Sequence, residues 1–109
     1  MESIKNTMGI TKISIKKNIK AFCPLGKSWY TGEVIASFSP TDKICDYCDA
    51  DKKLQALDGR ELIIEEMAEQ VYQIFEEINP QWIKVDIKVN DAAHFPVEIT
   101  KFGVCIQEV

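Results

Sequence analysis

The sequence lacks any long uninterrupted apolar stretch, because none of its apolar runs approaches the roughly 20 residues that a membrane-spanning helix needs. Its first residues, Met1 to Lys5, also lack the apolar stretch of a signal peptide. We therefore expect a soluble, cytoplasmic protein with no membrane partner. In that compartment its four cysteines are expected to be reduced thiols rather than two disulfides.

Histidine is also scarce, and this restricts metal chemistry. His94 is the only histidine, and Cys45 and Cys48 form the only C-x-x-C motif. Such a motif can be half of a zinc site or a redox pair. A complete zinc site would need Cys23 or Cys105 to converge on it from elsewhere in the chain. We therefore predict no bound metal, and the role of the cysteine pair stays open.

Positive charge is concentrated at the start of the chain, although the formal net charge is -4. A basic segment can bind the phosphates of a nucleotide or of RNA. It can equally be the solvated face of an edge strand, where lysines discourage aggregation. The aromatic residues typical of nucleic-acid platforms are missing here, which favours the second interpretation. The basic residues in question are Lys5, Lys12, Lys16, Lys17, Lys20 and Lys27.

A predicted hairpin opens the domain. Apolar and polar residues alternate over residues 11–16, which predicts a strand with Ile13 and Ile15 facing the core. The alternation resumes beyond residue 18, and a second strand over residues 32–38 returns antiparallel. Cys23 therefore lies near the reversal of this hairpin.

A first helix is predicted after the hairpin. Thr41 and Asp42 can cap it, and Ile44, Tyr47 and Cys48 follow at the spacings of three and four that one helix face requires. This assignment places the C-x-x-C motif inside the helix.

A second, longer helix is predicted between a capping box and a proline stop. Asp58 and Glu61 have the spacing of the box, and Pro80 ends the helix. Most of its glutamates are expected on the solvated face, but Glu65 lies in the first turn, where the helix amides favour a carboxylate. It is therefore the best ligand candidate among them. The predicted core face consists of Ile64, Met67, Ala68, Val71, Phe75 and Ile78.

Two closing strands complete an α+β fold. Residues 82–89 alternate without interruption, and Phe95, Val97 and Ile99 resume the alternation after a turn. The order ββααββ predicts a four-stranded antiparallel sheet with two helices on one face. We expect residues 1–10 to be an N-terminal tail and residues 11–109 to be a single domain. Its uncovered face and edges predict association with further copies of the chain.

Cys23 is the best candidate for a nucleophile. Pro24 favours extended geometry at Cys23 and Gly26 permits a tight reversal, so the thiol would lie at a strand end beside a loop. A positive charge nearby, such as that of Lys27, favours thiolate over thiol. The alternative is that Cys23 is a small buried apolar residue, as most free cysteines are.

Several segments resemble the tunnelling-fold (T-fold) family. They are Cys23-Pro24-Leu25, the proline at Pro40 that closes the following strand, residues 59–67 (GRELIIEEM) and residues 78–85 (INPQWIKV). Within the family they look most like the QueF-like group, which comprises the small 7-cyano-7-deazaguanine nitrile reductases of queuosine synthesis and their archaeosine-forming amidinotransferase relatives. The resemblance extends over nearly the whole chain.

The resemblance implies roles for individual residues. Cys23 would attack the nitrile carbon to form a covalent thioimide, and Glu65 would bind the deazaguanine base. Reductases of this kind then use NADPH, whereas amidinotransferases add ammonia to the nitrile of a base already in tRNA. The resemblance also implies that neighbouring subunits join their strands into a barrel, as a homo-oligomer with sites at the subunit interfaces.

The departures from the family pattern direct the choice among these activities. The stretch Asp46-Tyr47-Cys48-Asp49 lacks the lysine of the NADPH motif, so NADPH is not expected and no cofactor is predicted. Tyr30 stands where the family has an aspartate proton donor, and Ile64 replaces a histidine. The related pterin synthases need zinc-binding histidines that are missing here, which excludes their chemistry.

We therefore expect a nitrile-directed enzyme that forms an amidine. Its catalytic residues would be Cys23 and Tyr30, and its substrate-binding residues Glu65 and Lys27. The expected partners are a guanine-like base and tRNA, whose phosphates only the basic segment could meet. The alternative is a catalytically idle T-fold protein that binds a purine- or pterin-like base, or that serves as a partner subunit.

Overall fold

The computed structural model describes residues 1–105, and these residues form one larger and one smaller sheet with two helices. The elements in chain order are β1 (Ser3–Lys5), β2 (Ile13–Cys23), β3 (Ser28–Phe38), β4 (Lys43–Cys45), α1 (Tyr47–Gln55), α2 (Ile64–Glu76), β5 (Trp82–Val89) and β6 (Val97–Val104). No helix in this part of the chain is long and apolar enough to cross a membrane.

The larger sheet has the order β2-β3-β5-β6, and all its neighbouring strands are antiparallel. Both helices lie on one face, so the predicted α+β architecture is confirmed. Alternate residues of β5 face the helices and are buried, whereas those between them face outward. Because β2 to β3 and β5 to β6 are hairpins and β3 pairs with β5, both hairpin turns lie at the same end of the sheet.

The core lies between this sheet and the apolar face of α2. Met67, Val71 and Phe75 are fully buried, as the helical spacing predicted, and the ring of Phe75 stacks on Phe38 at 5.2 Å between centroids. Gly32 allows the helix to approach β3 closely, because a Cβ at this position would lie 2.7 Å from the Met67 sulfur. The helix is therefore held firmly against the centre of the sheet.

The segment predicted as the start of the first helix is instead a strand. Residues 43–45 form β4, which pairs with β1, and Ile4 lies opposite Ile44. The helix begins later because the Asp46 side chain accepts a hydrogen bond from the Cys48 N–H at 2.8 Å and caps it. Residues 1–10, which the sequence predicts to be an N-terminal tail, thus contain β1. The strand boundaries also differ, since β3 begins at Ser28 and Phe95 lies outside β6.

The predicted capping box before α2 has a different role. Asp58 accepts a hydrogen bond from the Lys20 N–H at 2.7 Å, so it binds the backbone of β2 at the sheet edge and does not cap a helix. Residues 59–62 then run beside the end of β2. In this segment Phe22 N–H donates to the Arg60 carbonyl at 2.9 Å, and Leu62 N–H donates to the Phe22 carbonyl at 3.0 Å. We call residues 58–62 the edge segment. It delivers the start of α2 next to Cys23.

Candidate functional site

A cavity of about 370 Å³ lies where the two hairpin turns meet the start of α2. It contains four chemically distinctive side chains from three parts of the chain: Cys23 and Tyr30 from the first hairpin, Glu65 from α2 and His94 from the β5–β6 loop. The remaining lining residues are Leu25, Gly26, Ser28, Ile63, Ile64, Ala92 and Ala93. The structure therefore brings together three of the four residues predicted for the site and adds His94.

A second groove of about 390 Å³ runs between β2 and α1, but it lacks comparable chemistry. Its charged pair, Lys17 and Asp51, forms an ion pair at 2.6 Å, so the two charges largely neutralise each other. The other lining residues are mainly apolar. We therefore place the candidate site in the cavity that contains Cys23.

Cys23 is the last residue of β2 and pairs with Ser28 across a four-residue turn. Its thiol is free and half-buried. The Gly26 N–H donates to the Cys23 Sγ at 3.4 Å, and such a donor stabilises negative charge on the sulfur. The turn therefore presents the sulfur to the cavity in a geometry suited to a nucleophile.

Lys27 lies on the same turn but outside the cavity. It adopts a left-handed backbone conformation, with φ of 53°, and it is exposed. The residue with positive φ in this turn is therefore the lysine rather than Gly26. Its role in binding substrate or favouring the thiolate stays a prediction.

Glu65 is the second residue of α2, and its position follows from the edge segment described above. Because residues 59–62 pair with the end of β2, the first turn of α2 begins beside the cysteine. The neighbouring Glu66 is occupied in capping, since it accepts a hydrogen bond from the Ile63 N–H at 3.1 Å. Glu65 is thus the carboxylate that remains directed to the cavity, close to the positive end of the helix dipole.

Tyr30 lines the cavity, but its hydroxyl is already engaged. The side chain is 3% exposed, and its O–H donates to the Leu62 carbonyl. Burial raises the pKa of Tyr30, and the negative charges of Cys23, Glu65 and Glu66 raise it further. The tyrosine therefore acts as a link between β3 and the edge segment, and its geometry does not favour proton donation.

His94 was not predicted as a site residue. It follows a turn whose Asp91 carboxylate accepts a bifurcated hydrogen bond from the Thr31 N–H, with its two oxygens at 2.9 and 3.2 Å, so the β5–β6 loop is fixed to β3 beside Tyr30. This placement follows from the pairing of β3 with β5, which local sequence patterns do not reveal. In a sheet made of two adjacent hairpins the turns share one end, which brings the loop containing His94 to the turn containing Cys23.

The residues described, 1–105, contain no cluster of three or more metal-binding side chains. Within the C-x-x-C motif Cys45 is buried and Cys48 is exposed, and both thiols are free. Burial raises the pKa of the Cys45 thiol to about 11, so it remains a neutral thiol at physiological pH.

The order of strands and helices is that of the tunnelling fold, and solved structures share it. An archaeosine synthase, QueF-Like, in the apo form superposes with a TM-score of 0.77 over 85% of this chain and 93% of that chain, at 22% identity. A putative dihydroneopterin aldolase (FolB) from Vibrio cholerae O1 biovar El Tor str. N16961 gives a TM-score of 0.68 over 89% and 99%, at 12% identity. At these identities the similarity shows the fold. No family model and no curated protein matches the sequence.

Proposed function

We propose that the cavity binds a guanine-like base and that Cys23 adds to its nitrile, so that ammonia can convert the nitrile to an amidine. The observation that carries this proposal is the placement of Cys23 and Glu65 in one cavity, with the Gly26 N–H directed at the sulfur. The fold shared with an archaeosine synthase and the sequence resemblance to the nitrile-acting group support the same choice.

Base recognition would depend on Glu65. A carboxylate offers two oxygens to two adjacent N–H groups, such as the amino group and ring N–H of a guanine-like base. The half-buried side chains of Ile63 and Ile64 supply apolar walls for a planar ring. Ile64 replaces the family histidine, so at this position the site offers contact area rather than an acid.

The sulfur of Cys23 serves first as the nucleophile and then as the leaving group. The thiolate forms a bond to the nitrile carbon, and the nitrogen takes up a proton, which gives a thioimide. Ammonia then adds to the same carbon. The C–S bond breaks, the thiolate leaves, and the product retains the added nitrogen as an amidine. No electrons are exchanged, so the reaction needs no NADPH, in agreement with the absence of the nicotinamide motif from the sequence.

The nitrile-bearing base in this proposal is part of tRNA. Lys16 and Lys20 lie on the outward face of β2, and Lys20 is placed over the ring of Trp29 at 5.6 Å. This pairing supplies positive charge and one aromatic surface near the cavity end of the sheet, as phosphate and base contacts require. Lys17, by contrast, is occupied by Asp51.

Association of several copies is part of the proposal. Phe102 is 59% exposed on the outward face of the sheet, which neither helix covers. The expected assembly is a closed homo-oligomer whose strands form a barrel, with sites near the subunit interfaces. Sedimentation equilibrium should show a mass several times 12.4 kDa, and a stable monomer at micromolar concentration would contradict this part.

The test compares wild type, Cys23→Ala and Cys48→Ala, the last being a control that removes an exposed cysteine outside the cavity. Each protein is incubated with 7-cyano-7-deazaguanine and examined by intact mass spectrometry. We expect a covalent adduct with the mass of the ligand in wild type and Cys48→Ala only. Incubation with nitrile-bearing tRNA and ammonium should then give archaeosine, and NADPH should give no turnover.

Two results would contradict the proposed enzymatic activity. If the nitrile base binds without forming an adduct, the protein is a binding member of the fold, which is the alternative that the occupied Tyr30 hydroxyl favours. If no adduct forms although Cys23 can be alkylated, the cysteine is not the nucleophile.

A further inference from the structure

Addition to a nitrile needs a proton carrier, because the thiol must lose a proton and the nitrile nitrogen must gain one. Tyr30, at the position where the family has an acid, donates its hydroxyl to the Leu62 carbonyl and is buried. The cavity therefore needs another group for this step, if the proposed function is correct.

His94 has the required chemistry and position. It lines the same cavity as Cys23, on the loop that Asp91 fixes to Thr31. Imidazole is the side-chain group that exchanges protons most readily near neutral pH. The residue is exposed, so its ring can be reached by solvent and by a ligand in the cavity.

The tautomer of His94 follows from its one local hydrogen bond. Its Nδ1 lies 2.8 Å from the Phe95 carbonyl oxygen. A carbonyl oxygen can only accept, so Nδ1 bears the hydrogen and donates it. In the neutral ring this leaves Nε2 as the nitrogen with a free lone pair, which is the form that a general base requires.

We infer that His94 carries the proton between the Cys23 thiol and the nitrile nitrogen, an inference that rests on the proposed function. Nε2 first takes the proton of the thiol, which gives a thiolate and an imidazolium. The thiolate then bonds to the nitrile carbon while the imidazolium gives its proton to the nitrile nitrogen. One proton moves in two transfers, and the ring ends neutral, ready to accept a proton from the added ammonia.

The charged groups around the ring are consistent with this role. The titratable side chains that share the cavity with His94 are Cys23, Tyr30 and Glu65, and Asp91 lies on the same loop. Of these groups, Cys23 is the one from which the ring takes its proton, because the Tyr30 hydroxyl is engaged by the Leu62 carbonyl. Asp91 is engaged by the Thr31 N–H and holds the loop.

The test uses His94→Gln, with Glu98→Gln as a control for an exposed polar change on the neighbouring strand. All variants are made in the Cys48→Ala background, and peptide mapping separates alkylation of Cys23 from that of Cys105, which is also half-buried. Two rates are measured at pH values between 5.5 and 9. The first is the rate of Cys23 alkylation by iodoacetamide, and the second is the rate of adduct formation with 7-cyano-7-deazaguanine. Binding of a guanine-like base without a nitrile is measured in parallel.

We expect His94→Gln to slow adduct formation by about 100-fold or more, which is the usual contribution of a general acid or base. The alkylation profile should lose its component near neutral pH, and base binding should change by less than about threefold. Glu98→Gln should behave like the parent. Equal adduct rates and equal alkylation profiles in His94→Gln and its parent would overturn the inference.

Failure of the proposed function gives a different pattern. If the parent protein forms no adduct, the nitrile chemistry is excluded, and the alkylation profile alone then decides whether Cys23 and His94 exchange a proton. A profile changed by His94→Gln supports the pairing, and an unchanged one overturns it. Because His94 is exposed, the variant is expected to fold, and circular dichroism is the measurement that checks this.

Discussion

The hydroxyl of Tyr30 donates a hydrogen bond to the carbonyl oxygen of Leu62. This bond joins β3 to the edge segment beside the cavity, and both residues are buried. A tyrosine in this position holds the first turn of α2 against the cysteine hairpin. The site therefore depends on Tyr30 for its shape.

Tyr30→Phe should destabilise the fold because it leaves the buried Leu62 carbonyl without its donor. The expected loss is about 1–3 kcal/mol in the free energy of unfolding, measured by guanidinium denaturation. Adduct formation at Cys23 should fall much less than in His94→Gln. Unchanged stability together with loss of the adduct would instead identify Tyr30 as the proton donor.

Glu65→Gln should weaken binding of a guanine-like base by more than tenfold. A hydrogen bond to a charged group contributes about 1.5–3 kcal/mol, and the amide would lose one of the two acceptors. Calorimetric titration measures the change. Glu76→Gln on the exposed side of the same helix is the matched control, and equal affinities for the two variants would place Glu65 on the solvated face.

Cys45 and Cys48 should differ in reactivity although they share one motif. Brief alkylation at pH 8 followed by peptide mapping should label the exposed Cys48 and leave the buried Cys45 unmodified. Burial raises the pKa of Cys45 to about 11, so the fold favours its neutral form. The stability that this preference contributes is complete below the ordinary pKa of 9.0 and is lost as pH rises toward 11.

The control for this pH dependence is Cys45→Ala. This variant should lack the part of the stability loss at alkaline pH that comes from the Cys45 thiol. Rapid labelling of both cysteines at pH 8 would mean that β4 opens readily. Formation of a disulfide between them under mild oxidation would favour the redox alternative for the motif.

Gly103→Ala should destabilise β6. The Tyr72 hydroxyl lies directly against Gly103, where an added methyl group would overlap it. The Tyr72 ring is held there by Lys101, whose ammonium lies 4.7 Å from the ring centroid. We expect a loss of about 1–3 kcal/mol on thermal or chemical unfolding. Adding Tyr72→Ala should relieve the overlap. The loss of stability caused by Tyr72→Ala should therefore be smaller in the Gly103→Ala background than in wild type.

The elements that the sequence predicted well are those in which one face is fully buried. The alternation of Ile83, Val85 and Ile87 in β5 and the stripe from Met67 to Phe75 each reflect a single sheet or helix face that must meet the core. The sequence motifs predicted nitrile chemistry at Cys23, and the structure shows that Glu65 lines the same cavity as this cysteine.

The elements that were missed depend on partners distant in sequence. Residues 43–45 form a strand because they pair with residues 3–5, and a local spacing of three and four cannot reveal such a partner. Asp58 has the pattern of a helix cap but binds the backbone of Lys20 instead. His94 became a site residue only through the order of the strands, which local patterns do not contain.

The edge segment also determines how the sheet could be extended. The edge segment binds the backbone groups of Lys20 and Phe22 that lie on the free edge of β2, so it occupies the last part of this strand. An incoming strand could therefore pair only with the portion of β2 nearer Ile13. At the opposite edge β6 pairs only with β5 in the described chain. Two copies that join β6 to β2 would therefore be offset along the strand direction. This stagger would leave the cavity end of each sheet projecting past its neighbour, where a large polynucleotide can reach it.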